Sequence, residues 1–136
     1  QPVENGKCVS CHSPHGTRLK YQLLNQPNEL CISCHEKIVV TKERNGHVRL
    51  REGSCLSCHN SHSADTAYLL NGRDPALCTK CHATDTNAMT MAHKVPVQKI
   101  SHCTSCHEPH VTEKAGLLKK IIHKPFAQGD CDACHE

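Results

Sequence analysis

The chain has 136 residues and a formal net charge of +3, from 16 basic and 13 acidic side chains. It contains 12 cysteines and 13 histidines, but only two tyrosines, one phenylalanine and no tryptophan. This composition excludes an ordinary aromatic-rich core, and the basic residues lack the aromatic platforms of a nucleic-acid surface. No stretch has the apolar length needed to cross a bilayer. We therefore expect neither a nucleic-acid partner nor a membrane span.

One five-residue pattern, Cys-x-x-Cys-His, recurs along the chain. It first occurs as Cys8-Val9-Ser10-Cys11-His12, and its six copies use every cysteine. The copies occupy residues 8–12, 31–35, 55–59, 78–82, 103–107 and 131–135. This pattern is the attachment sequence for c-type haem. Its two thiols form thioethers with the haem vinyl groups, and its histidine is the proximal iron ligand.

Zinc ribbons, disulfide frameworks and thioredoxin-like thiol pairs also use paired cysteines. None of these needs a histidine directly after the second cysteine, least of all six times. The pattern therefore predicts six haem c groups, each with its iron. Their predicted attachment residues are Cys8, Cys11, Cys31, Cys34, Cys55, Cys58, Cys78, Cys81, Cys103, Cys106, Cys131 and Cys134. With about 23 residues per haem, we expect the porphyrins to form the core and the apoprotein to be unfolded.

The six motifs fall into three tandem units, residues 8–35, 55–82 and 103–135. In each unit the first motif is followed by a histidine three residues on, then by a Leu-Leu pair and a second motif. The first cysteines of the units lie 47 and then 48 residues apart. Such a period indicates a tandem array, so we expect one hexahaem domain over residues 1–136, built from three dihaem units.

This order of motifs resembles that of the doubled-CxxCH multihaem cytochromes, and the resemblance covers nearly the whole chain. It implies haems with two histidine ligands, closely stacked in a chain, in an electron-transfer protein. Some extracellular cytochromes with similar motifs polymerise into conductive filaments. The fold class expected for this chain is mostly irregular, with a few short α-helices wrapped around the stacked haems.

Helix-start signals precede the second motif of each unit. Pro27 lies shortly before the second motif, and Asp74-Pro75 shortly before the fourth, with Asp74 at a plausible N-cap and proline at the first helical position. Asp130 directly precedes the sixth motif. We therefore expect short helices that carry these motifs.

The two spacers between units give weaker signals. In residues 36–54, Asn45-Gly46 lies between alternating segments, which predicts either a hairpin or an extended loop packed on porphyrin faces. In residues 83–102, Pro96 favours an edge strand or a loop.

The histidines divide into motif histidines and seven others. The motif histidines are the predicted proximal iron ligands, namely His12, His35, His59, His82, His107 and His135. A haem with two histidine ligands also needs a distal imidazole. Seven candidates exist for six such positions, so most of the remaining histidines are expected to be ligands.

Repeat position selects among the seven. His15, His62 and His110 each follow a motif histidine by three residues, whereas His47 and His93 lie 46 residues apart, close to the repeat period. The third unit is longer than the others, and its extension contains His123. The predicted distal ligands are therefore His15, His47, His62, His93, His110 and His123, with His102 as the surplus histidine. The alternative makes His102 a ligand and His93 the surplus; Met89 and Met91 are less favoured ligands.

If every iron has two histidine ligands, no substrate reaches a metal and only electrons pass. An electron conduit is therefore favoured over a reductase, which needs an open coordination site, a pocket and proton donors, and we do not expect an enzyme. In c-type cytochromes haem attachment takes place outside the cytoplasmic membrane. We expect an exported protein, extracellular or at the cell surface, with the periplasm as the alternative. Its expected partners are redox proteins or an extracellular acceptor, and copies of itself.

The histidine that follows the first motif suggests how copies would join. In a tandem array it can ligate the last haem of the preceding unit, so that His62 would serve the Cys31–His35 motif and His110 the Cys78–His82 motif. His15 would then cross to the final haem, at Cys131–His135, of a neighbouring copy and build a head-to-tail fibre. In the alternative, each such histidine serves the second haem of its own unit, and the protein is a soluble monomer.

Overall fold

The computed structural model describes residues 2–39, 41 and 43–134, and of Cys131 only the backbone. These residues form short α-helices α1 (Pro27–Ile32), α2 (Val48–Arg51), α3 (Ala76–Thr79), α4 (Asn87–His93) and α5 (Lys124–Gln128), and strands β1 (Asn45–Gly46) and β2 (Val111–Thr112). The 3-10 turns are Cys8–Ser10, Lys20–Gln22, Glu36–Ile38, Cys55–Ser57, Ala67–Leu69, Val97–Lys99, Cys103–Ser105, Ala115–Leu117 and Cys131–Ala133. The mostly irregular fold with few short helices is confirmed. Among the described residues, no helix is long and apolar enough to cross a membrane.

The chain builds almost no core of its own side chains. Within the described residues, Val111 is the one buried hydrophobic side chain, and Thr112 the one buried polar side chain. The accessible surface is 10847 Å², whereas a compact protein of 15.0 kDa exposes roughly 7000 Å². The polypeptide is therefore an open wrapping, as expected of a chain whose core is supplied by other groups.

The three units share one local structure. Each first motif begins on a 3-10 turn, and its histidine forms an antiparallel bridge to one leucine of the Leu-Leu pair; the bridges are His12–Leu23, His59–Leu70 and His107–Leu118. Each bridge closes a loop between the motif histidine and the leucine, and a second 3-10 turn lies inside this loop. Its middle residue has a positive φ of 58° at Tyr21, 59° at Tyr68 and 65° at Gly116.

The helix-start signals give mixed outcomes. Helix α1 begins at Pro27 and carries the first cysteine of the second motif, as predicted. Helix α3 begins one residue later than expected, because Pro75 is its N-cap and Asp74 makes no cap bond. The Asp74 carboxylate instead accepts hydrogen bonds from the fifth motif, whose own first N–H groups lack helical partners. The prediction that Asp74 caps α3 is therefore wrong.

Of the two alternatives for Asn45-Gly46, a hairpin or an extended loop, the hairpin is wrong. These two residues form β1 itself and pair antiparallel with β2, with Asn45 opposite Thr112 and Gly46 opposite Val111. The pairing joins the first spacer to the third unit, and the Asn45 side chain adds a 3.3 Å bond to the carbonyl of Glu113. Pro96 caps the 3-10 turn Val97–Lys99, in agreement with the predicted loop.

Candidate haem sites

The histidine of each first motif is held in one orientation by the backbone of its own unit. The Nδ1 atoms of His12, His59 and His107 lie 2.7, 2.9 and 2.8 Å from the carbonyl oxygens nine residues further on. A carbonyl only accepts, so in each ring Nδ1 carries the proton. The lone pair is therefore on Nε2, the atom left free to bind a metal.

Four of the motif histidines lie opposite a histidine from outside the motifs. The pairs are His12–His62, His47–His82, His59–His110 and His93–His107. Their ring centroids are 6.0, 5.9, 5.9 and 6.0 Å apart, whereas their interplanar angles are 16°, 76°, 13° and 55°. Each pair thus combines one predicted proximal ligand with one predicted distal ligand.

The constant separation and the variable angle together fit two imidazoles bound to one metal. A metal–imidazole bond is about 2 Å long and the ring centre lies roughly 1.1 Å behind the nitrogen, so trans imidazoles have centroids roughly 6.2 Å apart. Rotation of each ring about its metal–nitrogen bond leaves this distance unchanged. Ordinary aromatic pairs instead spread over about 4.5–7 Å. The four sites therefore fit an iron between two histidines.

Three of the predicted distal histidines have a neighbour for their second ring nitrogen. His93 donates from Nδ1 to the carbonyl of Met89 at 2.9 Å, one turn back in α4. His110 has Nδ1 3.4 Å from the Glu108 carboxylate, and His62 has Nδ1 3.4 Å from the Ser61 hydroxyl. Such contacts fix ring orientation and raise the basicity of a ligating histidine, a carboxylate more than a hydroxyl.

His47 differs from the other distal histidines. It is the N-cap of α2, and its Nδ1 accepts a hydrogen bond from the N–H of Arg49 at 3.2 Å. A neutral ring in this arrangement carries its proton on Nε2, so coordination through Nε2 requires the cap bond to open. Burial, followed by the charges of His82 and Arg49, lowers the pKa of His47. The neutral form that a metal needs is therefore favoured.

The pairs correct the expected register between units. The ring of His62 lies opposite His12, and not opposite the histidine of the Cys31–His35 motif. Likewise, the ring of His110 lies opposite His59, and not opposite the histidine of the Cys78–His82 motif. The histidine after a first motif therefore faces the first motif of the preceding unit, not its last. The alternative of pairing within the unit is wrong too, because His82 faces His47.

Four histidines have no ring partner among the described residues, and all four are exposed: His15, His35, His102 and His123. His35 belongs to the second motif, whereas the other three were candidates for distal positions. The sixth motif histidine, His135, lies outside the described residues. His102 and His123 each precede a helical segment, Cys103–Ser105 and α5 respectively.

The described thiols are all free, as attachment to haem requires. Thiols of successive motifs nevertheless lie side by side. Burial, followed by the charge and the hydrogen bond of Cys55, raises the pKa of Cys31 to about 11. Burial, followed by the side chains of Asp74 and Cys78, raises the pKa of Cys103 to about 12. The first cysteines of the second and third motifs, and those of the fourth and fifth, are therefore neighbours.

Asp74 contacts the fifth motif, a role that the sequence pattern did not predict. Its Oδ1 accepts from the N–H of Cys103 at 2.9 Å, and its Oδ2 from the N–H and the hydroxyl of Thr104 at 2.8 and 2.7 Å. Burial alone raises its pKa, but the donors from Thr104 and Cys103 outweigh this and hold the pKa at about 2. A sequence cannot distinguish this contact from a local cap, since the partner lies 29 residues away.

Residues 1–39 and 47–87 match the doubled CXXCH motif family, and these ranges cover more than half of the chain. A comparison with curated proteins gives no match. The family's paired motifs imply covalent haem c and electron transfer, in agreement with thiols and imidazoles arranged as above. The chain belongs to the doubled CXXCH motif family.

Proposed function

We propose that this chain is an electron conduit that carries six c-type haems, one at each motif, with two histidines on each iron. The observation that carries the proposal is the set of four histidine pairs with centroids 5.9–6.0 Å apart. Bound haem iron supplies one-electron chemistry. The 12 motif cysteines hold the groups in place, and the histidines fill both axial positions.

The chain's own residues favour electron transfer over substrate chemistry. The carbonyls of Tyr21, Tyr68 and Gly116 keep the proximal rings in the tautomer that a metal binds. The distal rings then close the positions at which a substrate would coordinate. Two surface pockets among the described residues have no histidine in their lining. At the four paired sites, two histidines on one iron would leave no position for a substrate.

The experiment is expression with a c-type haem attachment system, followed by intact mass measurement and electronic and EPR spectra. We expect six covalent haems, with low-spin signals from at least the four paired sites. A protein with zinc or disulfides instead of haem would refute the proposal, and so would high-spin iron at most sites.

A second candidate function rests on His35, which has no opposing histidine among the described residues. An iron bound there would have one free axial position, as a multihaem reductase requires. Carbon monoxide binding decides between the two. One binding site per monomer that persists at every protein concentration favours the reductase, whereas a site lost on assembly favours the conduit.

We further propose that copies assemble head-to-tail into a filament in which histidines cross between neighbours. In the observed register, the histidine after a first motif serves the first motif of the preceding unit. His15 of one copy would therefore serve the Cys103–His107 motif of its neighbour, rather than the neighbour's last haem as first expected. In the single chain, His93 faces His107. In the filament, His15 of the neighbouring copy would take this place, and His93 would instead serve the haem of the His135 motif.

The same register supplies the missing partner of His35. His47, in the first spacer, faces the second motif of the unit that follows it. His35 would be served likewise by a histidine that precedes it from the neighbouring copy, and His123, in the extension of the third unit, fits this position. His123 and His47 have nearly the same backbone, with φ and ψ of −53° and 129° against −58° and 140°, and each precedes a short helix. All six irons then have two histidines, and His102 remains as the surplus.

The interplanar angles support the proposed replacement of His93 by His15 of a neighbouring copy opposite His107. The two pairs that use the histidine after a first motif are nearly parallel, at 16° and 13°, whereas His93–His107 is tilted by 55°. His93 thus departs from the two repeat pairs at a position to which the repeat assigns another histidine, and in the proposed filament it is the ligand that is replaced. His15 and His35 are exposed, as ligands exchanged at an interface must be before assembly.

Electron microscopy of the loaded protein and of its His15→Ala variant tests the assembly. We expect fibres from the wild type and none from the variant, with His102→Ala as the matched control that still forms fibres. A wild type that stays monomeric at all concentrations refutes the filament but leaves the conduit in place. An exported location, at the cell surface or beyond it or else in the periplasm, fits this function, with redox proteins or an extracellular acceptor as partners.

A further inference from the structure

Asp74 lies where the attachment sites of two successive haems meet. Its Oδ1 is 3.9 Å from Sγ of Cys78, the first cysteine of the fourth motif. The same carboxylate accepts the N–H of Cys103, the first cysteine of the fifth motif. One oxygen of Asp74 and the two sulfurs all lie within 4.8 Å of one another. This inference rests on the proposed attachment of haem to both cysteines.

The carboxylate is fixed in place and stays ionised. Three hydrogen bonds from Cys103 and Thr104 orient its two oxygens, and they hold its pKa at about 2. Among the described residues, no lysine or arginine forms an ion pair with Asp74 that would neutralise it. A permanent negative charge therefore lies beside the bonds that join both cofactors to the chain.

The junction between the second and third motifs offers an internal comparison. There the first cysteines, Cys31 and Cys55, are neighbours in the same way. Four residues before Cys31, where the fourth motif has Asp74, stands Pro27, which has no charge and no side-chain acceptor. Both junctions therefore bring two first cysteines together, but at this position only the fourth motif carries a charge.

We propose that Asp74 is a positioning and potential-setting residue that lowers the reduction potentials of the haems at Cys78 and Cys103. Reduction adds an electron to a site, and a nearby fixed negative charge disfavours that step. Electrons that move along the chain then meet an energetic step at this junction, which the junction at Cys31 and Cys55 lacks.

The test is a potentiometric titration of the loaded Asp74→Asn variant, which keeps an acceptor oxygen but loses the charge. We expect two of the haems to become easier to reduce by about tenfold in equilibrium constant, about 59 mV for a one-electron couple. The other haems should keep their potentials. Asp74→Glu, which keeps the charge, is the matched control and should stay close to the wild type.

Intact mass separates the possible failures. If the wild type lacks covalent haem as well as the variant, the proposed function itself is refuted. If only Asp74→Asn loses haem, Asp74→Ser, which is neutral and can accept the same N–H bonds, takes its place. The inference would be overturned if the fully loaded variant kept the wild-type potentials, or if all haems shifted equally. It would also be overturned if both neutral variants lost the haem of the fifth motif.

Discussion

Replacement of His62 by alanine tests both the ligand assignment and the register between units. The His62 ring lies 6.0 Å from that of His12, at the separation of two imidazoles on one iron. His62→Ala should therefore open one axial position without touching a thiol. With six haems, about one sixth of the low-spin signal should become high-spin, while the covalent haem count stays the same.

The assay is EPR and electronic absorption of the loaded variant, before and after addition of imidazole. Free imidazole should enter the space left by the side chain and restore the low-spin signal, since only the ligand has been removed. His102→Ala is the matched control, because His102 has no opposing ring among the described residues and its loss should leave the spectrum unchanged. A fully low-spin His62→Ala protein would show that His62 is no ligand.

A combined variant identifies the haem that His62 serves. Cys8→Ser with Cys11→Ser removes the first attachment site, and with it the iron that would lie between His12 and His62. Added to His62→Ala, this change should abolish the high-spin signal and leave five haems, all with two ligands. If the high-spin signal persists in the combined variant, His62 serves a different motif and the register derived from the ring pairs is incorrect.

Three further predictions concern single side chains. Gly116→Val should destabilise the loaded protein by about 1–2 kcal/mol in thermal unfolding, because φ is 65° there and a β-branched residue resists that conformation; Gly116→Tyr should cost less, since Tyr68 already adopts it. Asp74 has a folded-state pKa of about 2 against 3.8, so its stabilisation is fully present above pH 3.8 and is lost as the pH falls towards 2. Because the carboxyl is partly exposed, we expect a loss of about 1 kcal/mol, absent in Asp74→Asn, when guanidinium unfolding at pH 5 and pH 2.5 is compared. In a potentiometric titration, Glu108→Gln should raise the reduction potential of the haem at the Cys55–His59 motif, because the 3.4 Å contact to His110 loses its negative charge. An unchanged potential would show that this contact does not tune the iron.

The local chemistry could be predicted from the sequence because it is carried by residues next to one another. Cys-x-x-Cys-His places its thiols and its histidine together in any conformation, and Pro27 at the start of α1 acts on its own helix. The irregular fold follows from the same observation, since a chain of this composition cannot bury a core.

The contacts between units could not be predicted, because they depend on which distant segments meet. Asn45-Gly46 has the composition of a hairpin turn, yet it pairs with Val111–Thr112 in the third unit. Asp74 has the position of a helix cap, yet the unpaired N–H groups of Cys103 and Thr104 offer it three donors. The repeat identified His62 as a candidate ligand but not the motif opposite it. In each case a partner far along the chain, which no local pattern reveals, decides the outcome.

The interplanar angles of the four histidine pairs divide the sites into three classes. In a bis-imidazole haem, the angle between the two ring planes governs how the iron d orbitals split, and hence the magnetic anisotropy of the ferric centre. Two sites with angles of 13° and 16° should give similar EPR spectra, whereas the site at 76° should give a much more anisotropic one. The site at 55° lies between them and should move towards the first group if His15 of a neighbour displaces His93. In the conduit that we propose, chemically identical cofactors would therefore fall into spectroscopic classes, and the passage of an electron from one class to another could be followed.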